Sequence, residues 1–207
     1  MSASTLYLTG FEPFLKLRQN PTEAIARELD GAVIGGLVVR SRVLPVTWED
    51  APRILAEDLA RLEPALSLHL GVSGQGKTLR LEGSAHNAMA SAFADNAGVE
   101  MEDQPIDPER GLDHRLLTSV DRSPMISRLE AAGLPSELWE DPGRYICNRA
   151  YYEALALGCA PALFMHVPHT DSRDPSGARW TLERLIQGTR IVLQALGEAA
   201  QGPDEPR

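Results

Sequence analysis

Short apolar runs alternate with amphipathic stretches along most of this chain. The apolar runs predict six strands, at residues 5–9, 37–43, 65–70, 78–82, 134–139 and 162–167. Between them, apolar side chains recur at helical spacing, and the predicted helices begin at Asn20, Thr47, Ser123, Ile146 and Ala178. Because strands and helices alternate, we expect a single α/β domain in which helices cover both faces of a mostly parallel, twisted sheet, a three-layer α/β/α fold.

Two regions depart from this alternation. Residues 91–122 show no clear period and contain several glycines and prolines, so we expect a long loop there, with a hairpin as an alternative. A loop of this length within a compact domain usually has a functional role. The last helix is expected to end at Leu196, which divides the chain into a domain over residues 1–197 and a flexible C-terminal tail over residues 198–207.

Composition and charge narrow the classes of partner. The 207 residues carry a net charge of −9 at pH 7, which argues against binding to nucleic acid or to an anionic membrane. Aromatic residues make up 5% of the chain, too few to form a stacking platform for nucleotide bases. Two cysteines cannot build a disulfide framework, and we find neither a signal-peptide pattern nor a membrane-spanning apolar run, so we expect a cytoplasmic protein.

Cys147 and His166 are the strongest candidates for chemistry. Cys147 follows a glycine turn at residues 143–146 and lies near the start of a predicted helix, and His166 lies at the end of a predicted strand. A thiol at a helix start and an imidazole at a strand end are how a cysteine hydrolase supplies its nucleophile and base. A single cysteine is more often a small buried hydrophobic residue, so the pair alone leaves that alternative open.

A glycine-rich segment raises a rival hypothesis. Residues 71–78 fit the phosphate-loop pattern G-x-x-x-x-G-K-T, which would make the chain a nucleotide-binding module that uses Gly71–Lys77. A phosphate loop needs a helix directly after it, because the helix N-terminus holds the phosphate. Here Thr78 leads into the alternating run Leu79–Glu82, which predicts a strand. The sequence context therefore disfavours nucleotide binding.

Seven short segments along the chain combine into one specific pattern. They are LTGFEPF at 8–14, NPT at 20–22, VLPV at 43–46, LE at 81–82 with Asn87 after it, DNAG at 95–98, GRYICN at 143–148 and FMHVP at 164–168. Each segment alone is a weak signal. In this order and at this spacing, from Leu8 to the final helix, the chain resembles the pyroglutamyl peptidase I (pyrrolidone-carboxylate peptidase) family of cysteine peptidases.

The resemblance implies an activity and a set of site residues. The family removes an N-terminal pyroglutamyl (5-oxoproline) residue from peptides and requires neither a metal nor an organic cofactor. The implied catalytic triad is Glu82, Cys147 and His166. The implied substrate-binding residues are Phe11 and Phe14, which would sandwich the lactam ring, the backbone groups of Gly71 and Val72, and the neighbours of the thiol, Arg144 and Tyr145.

The chain also departs from the family pattern. Gly83 stands where the family usually has arginine after the catalytic glutamate, and Val72 stands where many members have glutamine. Residues 139–142 replace a stretch that is usually rich in serine and alanine, and Arg144 replaces a small residue. A catalytically weakened pyroglutamate-binding protein on the same fold is therefore an alternative to the peptidase. Family members often associate, so we also expect a homo-oligomer, either a dimer or a tetramer.

Overall fold

Strands and helices alternate through the part of the chain that the computed structural model describes, residues 4–15 and 18–201. In chain order they are β1 (Thr5–Phe11), α1 (Pro21–Leu29), β2 (Val33–Ile34), β3 (Leu37–Leu44), α2 (Asp50–Leu62), β4 (Leu66–Ser73), β5 (Leu79–Glu82), β6 (Ser84–His86), β7 (Arg115–Leu117), α3 (Ser123–Ala131), β8 (Ser136–Trp139), α4 (Ile146–Leu157), β9 (Ala162–Pro168) and α5 (Leu182–Gln201). All six predicted strands and all five predicted helices are present, with boundaries shifted by up to five residues.

Seven of the strands form one mostly parallel sheet, in the order β2-β3-β1-β4-β9-β5-β8. The central strands β3, β1, β4 and β9 are mutually parallel, whereas β5 pairs with β9 in the antiparallel direction. Because parallel strands end at the same edge of the sheet, Phe11, Gly71 and His166 come to one edge. His166, one of the two strongest candidates for chemistry in the sequence, therefore lies at this edge.

Helices cover both faces of the sheet, which confirms the predicted α/β/α layers. Helices α1, α3 and α5 pack together on one face, and α2 and α4 pack together on the other. In β1, Leu6 and Leu8 enter the core on the first face and Tyr7 enters the core on the second, because successive side chains of a strand point to opposite faces. Within the described residues, no helix has the length and apolar character needed to cross a membrane.

Three details differ from the expectations. Within residues 91–122 there is no separate hairpin in the described structure; instead β7 pairs with β6 as a small second sheet. The two-residue edge strand β2 is too short to give a sequence pattern. Helix α5 continues through Gly197 to Gln201, so the first residues of the predicted tail, 198–201, are helical. Gly197 packs against the backbone of Gly35 rather than ending the helix. The rest of the predicted tail lies outside the described residues.

The glycine-rich segment does not have the architecture of a phosphate loop. Strand β4 continues to Ser73, and strand β5 begins at Leu79, where a phosphate loop would require a helix. The indole N–H of Trp180 donates to the Lys77 carbonyl at 2.9 Å, which ties the loop to the segment before α5. The nucleotide-binding hypothesis is therefore not supported by the local structure.

Candidate active site

The side chains of Glu82 and His166 meet on one face of the sheet. In the antiparallel pair of β5 and β9, Glu82 is opposite Phe164, which is two residues before His166. Directly paired residues, and residues two apart on a strand, share a face, so all three side chains point the same way. His166 Nδ1 lies 2.7 Å from Oε1 of Glu82, which is fully buried. Because the carboxylate accepts, Nδ1 donates, and Nε2 is the ring nitrogen left to face the reaction.

The Cys147 thiol reaches the same face because position 71 carries no side chain. Gly71 on β4 is the direct partner of His166 on β9. A Cβ at Gly71 would lie 2.8 Å from Cys147 Sγ and 2.8 Å from the ring of Phe164, closer than ordinary contact. The thiol, in the first turn of α4, hydrogen-bonds to His166. The glycine therefore provides the space in which thiol and imidazole meet.

Hydrogen bonding determines the ionisation of His166. Burial alone would lower the pKa of the imidazole, but its hydrogen bonds with Cys147 and Glu82 outweigh burial and raise the pKa to about 9. Burial raises the pKa of Glu82, and the hydrogen bond from His166 opposes that rise. The second carboxylate oxygen, Oε2, is buried without a hydrogen-bond partner among the described residues. At neutral pH His166 is therefore an imidazolium, with a proton on each ring nitrogen.

A small apolar cavity lies beside the thiol. It is lined by Phe11, Phe14, Asn20, Val46, Val72, Tyr145, Ile146 and Cys147. Its volume is about 10 Å³, which is room for about one water molecule. The rings of Phe14 and Tyr145, with centroids 6.1 Å apart, form one wall. Four of the predicted substrate-binding residues thus surround the thiol, and Asn20, Val46 and Ile146 join them. Asn20 and Val46 lie within two segments of the sequence pattern.

Comparison with known proteins identifies the family. The family model described as pyroglutamyl peptidase matches residues 4–174, which is most of the chain. The chain belongs to the pyroglutamyl peptidase family. A Pyrococcus furiosus pyrrolidone-carboxylate peptidase is 34% identical to it over 167 residues, covering 78% of this chain and 79% of that protein. One from Saccharolobus islandicus is 31% identical over 198 residues, covering 92% and 93%.

Solved structures agree with this assignment across the whole fold. The crystal structure of pyrrolidone carboxyl peptidase from Pyrococcus furiosus superposes with a TM-score of 0.86 at 27% identity, covering 95% of this chain and 99% of that one. The pyrrolidone carboxyl peptidase from Thermococcus litoralis gives a TM-score of 0.86 at 26% identity, covering 99% and 98%. The pyroglutamyl peptidase architecture thus extends over both layers of helices.

Two buried side chains that were not among the predicted site residues hold the site of this pyroglutamyl peptidase family member together. One of them, Asn148, is the last residue of the GRYICN segment. The Asn148 amide donates to the carbonyls of His86 and Ala88, each at 2.9 Å, and its oxygen accepts from the His86 N–H at 2.7 Å. The Tyr151 hydroxyl donates to the Glu82 carbonyl at 3.1 Å. Helix α4 is therefore pinned to the segment that follows β5. An asparagine inside a helix is the available sequence signal, because its side chain favours bonds to backbone groups.

Arg144 lies away from the small cavity. Its guanidinium donates to the Asp141 carboxylate at 2.9 Å, and it lines a second, larger cleft beyond Tyr145. Asp141 also lies 3.2 Å from Nε2 of the buried His86. Burial lowers the pKa of His86, and the charge of Arg144 adds to that effect. The charge of Arg144 is thus balanced by Asp141. Among residues 4–15 and 18–201, no group of three His, Cys, Asp or Glu side chains is arranged to hold a metal ion.

Proposed function

We propose that this protein is a cysteine exopeptidase that hydrolyses the amide bond after an N-terminal pyroglutamyl residue, with Cys147, His166 and Glu82 as its triad. The observation that carries the proposal is the chain of contacts from the Cys147 thiol through His166 to a carboxylate that is fully buried. Membership of the pyroglutamyl peptidase family supports the same activity. The peptide is the partner that this activity requires.

Cys147 is the nucleophile in this proposal. The thiol proton passes to His166, and the imidazole, whose pKa is raised to about 9, retains this proton at neutral pH. The thiolate attacks the carbonyl carbon of the scissile amide, not that of the lactam ring, and forms a tetrahedral intermediate. The C–N bond then breaks, and the departing amine takes the proton from His166. Water, activated by the imidazole, hydrolyses the thioester, releases pyroglutamate and restores the thiol.

The start of α4 supplies the donors for the oxyanion. Cys147 is the second residue of this helix, and the first N–H groups of a helix have no intrahelical partner. Backbone N–H groups in this position stabilise the negative oxygen of a tetrahedral intermediate. Glu82 accepts the Nδ1 proton throughout, which holds the imidazole in the tautomer and orientation that the thiol needs.

The small apolar cavity is the proposed site for the lactam ring. Phe11 and Phe14 would flank the ring, Val72 lines the same cavity, and Gly71 lies next to Cys147 Sγ. An uncharged lactam suits an apolar slot with a few polar groups. Because the cavity holds about one water molecule, its walls must move apart before the ring can enter.

The decisive test is hydrolysis of a chromogenic pyroglutamyl amide by the wild type and by Cys147→Ser. We expect the variant to lose about 10⁴-fold or more in kcat, since the weaker hydroxyl nucleophile replaces the thiolate. The matched control is Cys159→Ser, which changes the exposed cysteine and should retain full activity. Iodoacetamide should also label Cys147 before Cys159, although Cys159 is the more exposed thiol. Undiminished hydrolysis by Cys147→Ser would refute the proposal.

A further inference from the structure

The turn that leads into α4 is held by one carboxylate. Asp141 Oδ1 accepts a hydrogen bond from the Gly143 N–H at 3.0 Å and one from the Arg144 guanidinium at 2.9 Å. Nε2 of the buried His86 lies 3.2 Å from the same oxygen. One oxygen atom thus receives contacts from the turn itself and from the neighbouring strand β6. We call residues 141–145 the entry turn of α4.

The entry turn depends on this contact because its backbone is otherwise permissive. Gly143 has a φ of +83°, in the left-handed region, and a glycine also populates the other backbone regions with little strain. The N-cap residue of α4, Tyr145, makes no side-chain hydrogen bond to the helix. The first N–H groups of α4 have no partner within the helix, as the proposed oxyanion site requires. The helix start must therefore be held by groups outside it, and Asp141 is one of them.

The entry turn helps to set the position of the thiol. Cys147 lies six residues after Asp141 and one residue before Asn148. The Asn148 amide exchanges hydrogen bonds with the backbone of His86, at 2.7 and 2.9 Å. The backbone of His86 therefore holds α4 just after the thiol, and its side chain meets the carboxylate that holds the turn before it. The thiol lies between these two attachments, so its contact with His166 depends on both.

Asp141 acts on the reaction without touching the reacting groups. Burial favours its neutral form, but the hydrogen bonds from the Gly143 N–H and from Arg144 outweigh burial and hold the pKa of the carboxyl below its ordinary value. It is therefore ionised at neutral pH. Asp141 lines neither the small cavity beside the thiol nor the larger cleft beyond Tyr145. Its influence on the thiol must then pass through the backbone of the entry turn.

We infer that Asp141 is a positioning residue, whose carboxylate fixes the entry turn and thereby the place of the Cys147 thiol and of the N–H groups beside it. The inference rests on the proposed function, because it takes Cys147 as the nucleophile. A displacement of about 1 Å in a catalytic group lowers the rate about 10²-fold, so the partial displacement that follows loss of the carboxylate should lower kcat about tenfold. KM should change less than about twofold, because Asp141 does not line the cavity.

The test compares the wild type with Asp141→Ala and Asp141→Asn. It measures kcat and KM on a chromogenic pyroglutamyl amide and the rate at which iodoacetamide alkylates Cys147. Asp141→Ala should lower kcat and the alkylation rate about tenfold each, because a thiol displaced from the imidazole gives up its proton less readily. Asp141→Asn keeps an oxygen that can accept from the Gly143 N–H, so both quantities should return to within about threefold of the wild type.

The matched control is Asp121→Ala. Asp121 Oδ1 accepts the Ser123 N–H at 3.0 Å, which is the same contact between a carboxylate and the N–H two residues later, at the start of α3. This variant removes an equivalent turn contact away from the thiol. It should therefore keep both kcat and the alkylation rate of Cys147 at the wild-type values.

Several outcomes would overturn the inference. If Asp141→Ala keeps kcat and the alkylation rate within twofold of the wild type, the carboxylate does not position the thiol. A raised KM with unchanged kcat would make Asp141 a substrate contact instead. Equal losses in the alanine and asparagine variants would show that the charge acts, rather than the hydrogen bond to the turn. Alkylation needs no substrate, so failure of the wild type to hydrolyse the amide would refute the proposed function while the position of the thiol is still tested.

A second pair of variants keeps the test valid if Asp141→Ala does not fold. Asp141→Asn keeps the acceptor at the right reach without the charge, whereas Asp141→Glu keeps the charge on a side chain that is one methylene too long for the bond to the N–H two residues later. The asparagine variant should have the higher kcat and the faster alkylation of Cys147. Equal values in the two variants, or higher values in the glutamate variant, would overturn the inference.

Discussion

Gly71→Ala tests whether the site depends on the empty space at this position. The added methyl carbon would lie 2.8 Å from Cys147 Sγ and 2.8 Å from the Phe164 ring. Ordinary contacts begin near about 3.5 Å, so each of the two contacts is too short by about 0.7 Å. The Phe164 ring is fully buried between Tyr151 and His166, with centroids 5.5 and 4.9 Å away. Both contacts must lengthen, and the half-buried thiol has more room to move than the ring, so we expect the added methyl group to disturb the contact between thiol and imidazole.

We expect Gly71→Ala to have a larger effect on kcat than on the free energy of unfolding. A misplacement of about 1 Å in a catalytic group lowers the rate about 10²-fold. Overpacking the core by one methyl group costs about 1–3 kcal/mol of unfolding free energy. The assays are kcat on a chromogenic pyroglutamyl amide, the rate of Cys147 alkylation, and urea unfolding. Gly111→Ala is the matched control, because its methyl group would meet only the carboxylate of the exposed Asp113.

Two results would refute this reasoning. If Gly71→Ala keeps kcat within twofold of the wild type and the same alkylation rate at Cys147, the thiol does not depend on the absent side chain. If the variant instead loses more than about 3 kcal/mol of stability but the folded fraction stays fully active, the Phe164 ring has moved rather than the thiol. Either outcome would remove the argument that Gly71 creates the thiol–imidazole contact.

Four further predictions concern His166, Glu82 and the buried Asn148. The value of kcat should fall as pH rises through about 9, because the departing amine takes its proton from His166, whose pKa is raised to about 9; a rate that stays level to pH 10.5 would contradict this. Folding raises the pKa of His166 from its ordinary value of about 6.5 to about 9, so protonation of this residue stabilises the folded state. This contribution to the free energy of unfolding is complete below about pH 6.5, and urea unfolding should show that it is lost as the pH rises through about 9. Glu82→Gln should lower kcat by up to about 10⁴-fold with little change in KM, because an amide no longer fixes the tautomer; a variant with wild-type kcat would show that the carboxylate is dispensable. Asn148→Ala should cost about 1–3 kcal/mol by leaving buried backbone groups of His86 and Ala88 unpaired, and an unchanged urea midpoint would argue that water replaces the amide.

The hydrophobic pattern of the chain locates two members of the proposed triad but not the third. Cys147 and His166 follow from a helix start and from the end of a strand in the parallel part of the sheet. Glu82 lies at the end of β5, which is antiparallel to β9, so the rule for parallel strands does not bring it to the site. Its position depends on the register that sets it opposite Phe164. Register between distant strands is a tertiary property, and resemblance to the family was the only sequence signal for this residue.

The neighbourhood of the thiol could be predicted only in part. The motif at residues 8–14 indicates Phe11 and Phe14, and both line the small cavity. The family resemblance implies that Arg144, as a neighbour of the thiol, contacts the substrate. The glycine turn directs its side chain to Asp141 and to the larger cleft beyond Tyr145 rather than to the small cavity. The spacing of Asp141 and Arg144 was visible in the sequence, but the direction of a side chain leaving a positive-φ glycine turn was not.

Gly83 shows how a departure from the family pattern fits into the surrounding packing. A Cβ at this position would lie 2.5 Å from both terminal nitrogens of the Arg122 guanidinium, so the glycine is what allows this group to approach. The guanidinium donates to the carbonyls of Leu81 and Trp139, at 3.0 and 3.2 Å, and pairs with Glu140 at 2.8 Å. It therefore bridges the ends of β5 and β8, close to the buried Glu82. The absence of a side chain at Gly83 and the position of Arg122 go together, because a residue 39 positions later in the chain holds the strand that carries the proposed catalytic glutamate.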